Sequence, residues 1–244
     1  TPVPGYTDLL HTISNKFQRD NKVTYHENQI VCSTGAKQSI AQLLMVLLNK
    51  NEEVILPAPY WVSYYQMIKL AEGKPQVIQT NLETDFKVSP QQLEDAITTK
   101  TKAFLFSSPC NPTGSVYSKQ ELYDLANVFK KYPQITIISD EIYEHINFTQ
   151  NHFSIGSIKE IQNQVVTING LSKGYAMTGW RFGYLGAPLE IAKACVKMQG
   201  QITSATCSIT QRAAITALSE DPKCTHNMRD KFKKRRDLMI KLLS

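Results

Sequence analysis

Short apolar, often β-branched runs recur along the chain, each followed by a segment whose apolar residues return at helical spacing, and this alternation leaves few folds open. Val54-Ile55-Leu56, Ala103-Phe104-Leu105-Phe106, Ile135-Thr136-Ile137-Ile138-Ser139 and Val165-Val166-Thr167-Ile168 read as buried strands, with residues 29–33 and Val77-Ile78 beside them. Ile40, Leu43, Leu44, Leu47 and Leu48 keep helical period, as do Leu93, Ala96 and Ile97 behind a Ser89-Pro90 start signal. Residues 6–19, a segment opening at 60–64, and residues 118–132, 189–199, 206–219 and 224–243 read as further helices, the last two split by Glu220-Asp221-Pro222. Such alternation predicts an α/β architecture, a mainly parallel sheet of about seven strands flanked by helices. Open sheets of this kind bind ligands outside the carboxyl ends of their strands. Polar residues just past those ends are therefore the candidates for chemistry.

With 244 residues and 42% hydrophobic content, the chain can bury a core for one large or two small domains. The net charge of +6 is dispersed except at Lys231, Lys233, Lys234, Arg235 and Arg236. That run lies on an expected helix with only Phe232 interleaved, which reads as a solvated helix face and not as a nucleic-acid patch. Five scattered cysteines without a Cys-x-x-Cys pair argue against a disulfide framework and a zinc site, and fit a reducing cytoplasm. No metal is expected. The longest apolar run, residues 43–48, is too short to span a bilayer. The opening Thr1-Pro2, in place of a methionine, leads us to expect a piece of a longer protein.

Five strand ends carry suggestive residues. The first runs into Thr34-Gly35-Ala36-Lys37-Gln38, a turn into a helix whose free N–H groups suit a phosphate, although the same string also serves as a plain turn with a solvated lysine. Trp61 is either a core plug or a flat surface for a ring to stack on. Asn111, held between Pro109 and Pro112, has few conformations and can aim a hydrogen bond. Asp140 and Tyr143 emerge from the next strand, where the acid could equally cap a helix; His145 reads as structural. Lys173 follows the strand at 165–168, with Arg181 eight residues on. A lysine attacks a carbonyl only when deprotonated, which a desolvated pocket or a cationic neighbour such as Arg181 promotes.

The string Asn169-Gly-Leu-Ser-Lys173-Gly-Tyr-Ala-Met-Thr-Gly-Trp-Arg181-Phe-Gly-Tyr184 resembles the cofactor-lysine motif of class I pyridoxal-phosphate aminotransferases, most of all the bacterial aspartate aminotransferase (aspartate/prephenate) subgroup. The resemblance extends over nearly all 244 residues. It implies the large, cofactor-binding domain of fold type I, with the helix at about 223–244 leading toward a small domain. It further implies pyridoxal 5'-phosphate held by a Lys173 imine, with Asp140 on the ring nitrogen and Tyr143 and Asn111 on the ring hydroxyl. Trp61 would stack on the ring, and Gly35, Ala36, Lys37, Arg181 and Ser172 would surround the phosphate. Lys37, Trp61 and Asn111 would contact substrate. Where this motif often has a serine three residues before the lysine, Gly170 stands here, and Ser172 is the substitute at hand. The implied reaction moves an amino group between an amino acid, aspartate by preference, and 2-oxoglutarate. No arginine lies between Arg181 and Arg212, so recognition of a distal carboxylate falls to Lys37. The family implies a homodimer with shared active sites; its arginine for the α-carboxylate and a partner-subunit tyrosine have no counterpart in this chain. The alternatives are a lyase or synthase of the same fold and a non-catalytic regulatory domain of aminotransferase shape.

Overall fold

The apolar runs become the interior strands of one sheet because residues on both of their sides are buried. In the computed structural model, which describes residues 1–149, 152–220 and 222–243, the strands are β1 (Ile30–Ser33), β2 (Glu53–Ala58), β3 (Lys74–Gln79), β4 (Thr101–Ser107), β5 (Thr136–Asp140), β6 (Val165–Gly170) and β7 (Gly183–Gly186). Among the described residues they form a seven-stranded sheet in the order β1-β7-β6-β5-β4-β2-β3. Side chains alternate between its faces: Val54, Leu56, Ala103, Leu105, Ile138, Val166 and Ile168 join one core cluster, while Ile55, Phe104, Phe106, Ile137 and Val165 join another. Two buried faces explain why these strands read as continuous apolar runs and not as alternating ones.

Helices α1 (Thr7–Lys16), α2 (Ala36–Leu47), α3 (Ser63–Leu70), α4 (Pro90–Ala96), α5 (Lys119–Phe129), α6 (Leu189–Ile202), α7 (Ser208–Ser219) and α8 (Lys223–Leu243) complete the layers. Residues of α2, α3 and α6 cover the first face, and those of α4 and α5 the second. Leu9, Ile13 and Phe17 pack with Tyr184, Ala214 and Leu218 in a third cluster that joins α1 and α7 to β7. The expected start signal of α4 is present: Ser89 Oγ accepts the Gln92 N–H at 3.2 Å, a cap worth about 1 kcal/mol.

Several expectations need correction. The first helix ends at Lys16 and not Arg19, because the chain widens into a π-helical turn, Phe17–Asn21, that closes at a left-handed Lys22. Strand β3 is longer than Val77-Ile78. The seventh strand is β7, which pairs antiparallel with both β6 and β1. With only Tyr184 and Leu185 between two glycines, it carries no strand signal of its own and is made by its neighbours. Asp221 and Ser244 lie outside the described residues. The basic run on α8 is largely exposed, with Lys233 paired to Asp237 at 2.7 Å. Among the described residues no helix is long and apolar enough to cross a membrane, and all five cysteines are unpaired.

The topology sets the position of the site. β2 to β6 are parallel, and two antiparallel pairings through β7 turn β1 into the same direction. The carboxyl ends of β1, β4, β5 and β6 therefore lie along one edge.

Candidate active site

At that edge a cavity of about 250 Å³ is walled by Ala36, Lys37, Trp61, Asn111, Asp140, Tyr143, Ser172, Lys173 and Arg181, together with Tyr64, Ile142 and Thr178. Residues spread over 146 positions of sequence thus meet in one place. Of the residues assigned to the site from the sequence, all but Gly35 are in the wall, and Gly35 adjoins Ala36 and Arg181, which are. His145 stands outside, its ring edge-on to Tyr175, and burial lowers its pKa.

The β1–α2 junction forms one end. Gly35 has φ +91°, where a Cβ is strained, and a Cβ there would stand 2.5 Å from an Arg181 guanidinium nitrogen. The first N–H groups of α2 have no intrahelical acceptors. On the other side, a Cβ on Gly183 would come within 2.2 Å of the Ala36 nitrogen, so β7 can approach this turn only through a glycine. Arg181 is itself left-handed, at φ +53°, a conformation costing on the order of 1–2 kcal/mol. Its Nη1 donates to the Thr178 carbonyl at 2.7 Å. Helix N-terminus and guanidinium together make an anion cradle. Lys37 lies with its ammonium 4.8 Å from the Trp61 ring centre.

Gly170, where the motif often has serine, is explained by packing: a Cβ there would meet the Phe182 carbonyl at 2.7 Å. Ser172 lines the cavity beside Lys173. The Lys173 ammonium stands 5.6 Å from the centre of the Tyr143 ring, and Asn111 Nδ2 donates to the Tyr143 hydroxyl at 3.4 Å.

Asp140, at the end of β5, is 3% exposed. Burial raises its pKa to about 6, against the opposing pull of two hydrogen bonds. Tyr64 donates to Oδ2 at 2.5 Å and the Ile142 N–H to Oδ1 at 3.1 Å. Tyr64 escaped the sequence reading because its partner is 76 residues away; the only available signal was its place three residues after Trp61, one turn along the same strand-to-helix junction. Burial, and then the Asp140 charge, raises the phenol's pKa well above its usual value, so it stays a donor. Tyr64→Phe should therefore push the Asp140 pKa further up, since a hydrogen bond to a charged group contributes about 1.5–3 kcal/mol. Carboxyl ¹³C titration of the ligand-free protein checks this, and a midpoint unchanged from wild type would count against the contact.

Comparison with known proteins agrees with this geometry. The sequence profile of the family described as Aminotransferase class I and II matches residues 1–244. Over 246 aligned residues the chain is 44% identical to an aspartate/prephenate aminotransferase of Cereibacter sphaeroides, covering 100% of this chain and 62% of that protein. The aspartate aminotransferase of Rhizobium meliloti superposes with a TM-score of 0.95 at 38% identity, over 98% of this chain and 60% of that one. That of Thermus thermophilus with maleate gives 0.95 at 36% identity, over 99% and 63%. The chain thus spans about three fifths of the length of these relatives, and it shares their fold, fold type I. A profile match along the whole sequence, on a sheet whose strand ends gather the motif lysine, aspartate and arginine into one cavity, makes the chain a member of the aminotransferase class I and II family.

Proposed function

We propose that this chain is the cofactor-binding part of a pyridoxal-phosphate-dependent aminotransferase that moves an amino group between a dicarboxylic amino acid, aspartate first, and a 2-oxo acid. The observation that carries the reading is the meeting of Lys173, Asp140, Tyr143, Asn111 and Arg181 in a single cavity. The cavity fits the cofactor in three respects. Gly35 and Gly183 leave no Cβ to fill the anion cradle. Asp140 is a buried carboxylate whose nearest donors are neutral, the Tyr64 hydroxyl and the Ile142 N–H. Trp61 offers a flat ring on the same wall.

In this reading the α2 N-terminus and Arg181 hold the phosphate, with Ser172 beside it, and Trp61 covers one face of the ring. Asp140 receives the protonated ring nitrogen. Asn111 and Tyr143, already within 3.4 Å of each other, share the ring hydroxyl. Bound there, pyridoxal phosphate supplies the electron-accepting ring that lets a bond at the substrate α-carbon break. Lys173 Nζ would hold the cofactor and would take and return the proton at that α-carbon. The Tyr143 ring lies beneath that ammonium, its centre 5.6 Å away. Asp140, kept ionised by the cation it faces, favours proton loss from the substrate over retention.

Lys37 supplies the charge for a distal carboxylate; its ammonium projects over Trp61 into the same cavity. Lys37→Ala should therefore impair aspartate and glutamate more than an aromatic donor, by on the order of tenfold or more in kcat/KM. A uniform loss across donors would instead assign it to the phosphate alone. A homodimer with shared sites is part of the proposal, and exposed Trp180 and Ile209 beside Arg181 support it. Product analysis with aspartate and 2-oxoglutarate tests the reading: oxaloacetate and glutamate in equal amounts are expected. Elimination or decarboxylation products would point to a lyase of the same fold.

A further inference from the structure

Asp140 ends β5, paired there with Ser107 and Ile168, and the turn that follows it and carries Tyr143 is neither helix nor strand. After β5 the chain is held by single contacts, Glu141 N–H to the Ile168 carbonyl at 2.9 Å, Glu144 N–H to the Glu141 carbonyl at 2.9 Å and Ile146 N–H to the Tyr143 carbonyl at 2.8 Å. Asp140 and Tyr143 wall the cavity. The two glutamates between and after them are absent from that wall and are buried instead, at 1% and 8% exposure.

Two buried carboxylates need partners, because burying an unpaired charge is costly. These come from the far end of the sequence. Lys16, on the last turn of α1 and 1% exposed, forms an ion pair with Glu144 and donates to Asn21 Oδ1 at 2.7 Å. Asn21 closes the ring and links both acids: its Nδ2 donates to Glu144 Oε2 at 2.7 Å and to Glu141 Oε2 at 2.9 Å. The π-helical turn Phe17–Asn21 follows Lys16 directly and ends on Asn21, and such turns are frequent at functional sites. Ser139 and Ser154 donate to Glu141 Oε1 at 3.0 and 2.7 Å, and His152 Nε2 lies 2.8 Å from Oε2. The acids could in principle hold a metal ion, but Glu144 already has the Lys16 ammonium as its cation.

We propose that Lys16 and Asn21 are positioning residues, which through Glu141 and Glu144 clamp the post-β5 turn and so fix Asp140 and Tyr143 against the cavity. The inference rests on the cofactor roles proposed for those two groups. Burial raises the Glu144 pKa, but the charges around it, Lys16 first, override it and bring the carboxyl down to about 2, so Glu144 is ionised at any working pH.

Lys16→Met alone strands a buried carboxylate. The decisive variant is therefore Lys16→Met with Glu144→Gln, which removes the charge pair and keeps an amide for Asn21; Asn21→Ala, which cuts the link between the acids, serves if the double variant does not fold. Four readings are taken: melting temperature, the cofactor dissociation constant, the pH midpoint of the visible absorption of bound pyridoxal phosphate, and the ¹³C titration of Asp140 in ligand-free protein. Expected are a midpoint shift of at least about 0.5 unit and a cofactor dissociation constant raised on the order of tenfold. A variant with wild-type midpoint, affinity and Asp140 titration would overturn the proposal, whatever its melting temperature. Should wild type bind no cofactor at Lys173, the cofactor reading falls, and the Asp140 titration still decides the clamp: a shift supports it and an unmoved curve refutes it.

Discussion

Lys173→Ala is expected to lower the rate of the half-reaction with aspartate by at least about 10³-fold while leaving the fold intact. One nitrogen does two jobs in this account, anchoring the cofactor and moving the α-proton, and positioned acid–base catalysis alone contributes roughly 10²- to 10⁴-fold. The side chain is half-buried in a cavity wall and not in the core, so its loss opens an existing space. Single-turnover absorbance with a thermal melt beside it makes the comparison. A variant within tenfold of wild type would remove Lys173 from the chemistry.

Asp140 should separate binding from chemistry. Asp140→Ala keeps the whole anion cradle and should retain cofactor better than Arg181→Ala, yet lose most α-proton exchange, on the order of 10²-fold or more. Equal exchange in Asp140→Ala and wild type would end the assignment. A stability effect follows from the same residue. Burial moves the ligand-free Asp140 carboxyl from 3.8 up to about 6. Between those values the folded chain holds a proton that the unfolded chain releases, so this group's contribution to stability falls as pH rises through the window. Above it, the cost levels off at about 3 kcal/mol. Asp140→Asn should therefore make the ligand-free protein more stable by up to about that amount at pH 7, with the gap closing as the pH drops below 4. Urea unfolding at the two pH values measures it, and a less stable variant at pH 7 would contradict the burial argument.

Much of this was legible in the sequence, for physical reasons. β4, β5 and β6 are buried on both faces, so they had to be continuous apolar runs, and each site residue follows such a run or the turn behind it. The 169–184 string is legible because it sets a lysine and an arginine at fixed spacing past the end of β6, and both wall the cavity. What stayed hidden depends on distant partners. β7 is two apolar residues between glycines and exists because β1 and β6 flank it. Lys16 looks like any helix-surface lysine until Glu144, 128 residues on, is placed against it. Tyr64 looks like core. The π-helical turn after α1 has no local signature, since it is held by what Asn21 reaches across the chain. Gly170, an apparent departure from the family motif, became intelligible only when the Phe182 carbonyl was found where a side chain would have to go.

The central claim is that Lys173, and no other lysine, carries the cofactor. Borohydride reduction of the protein loaded with pyridoxal phosphate, followed by peptide mapping, tests it most directly. The account predicts a single pyridoxyl-bearing peptide, modified at Lys173; the label on Lys37, or spread over several surface lysines, would contradict it.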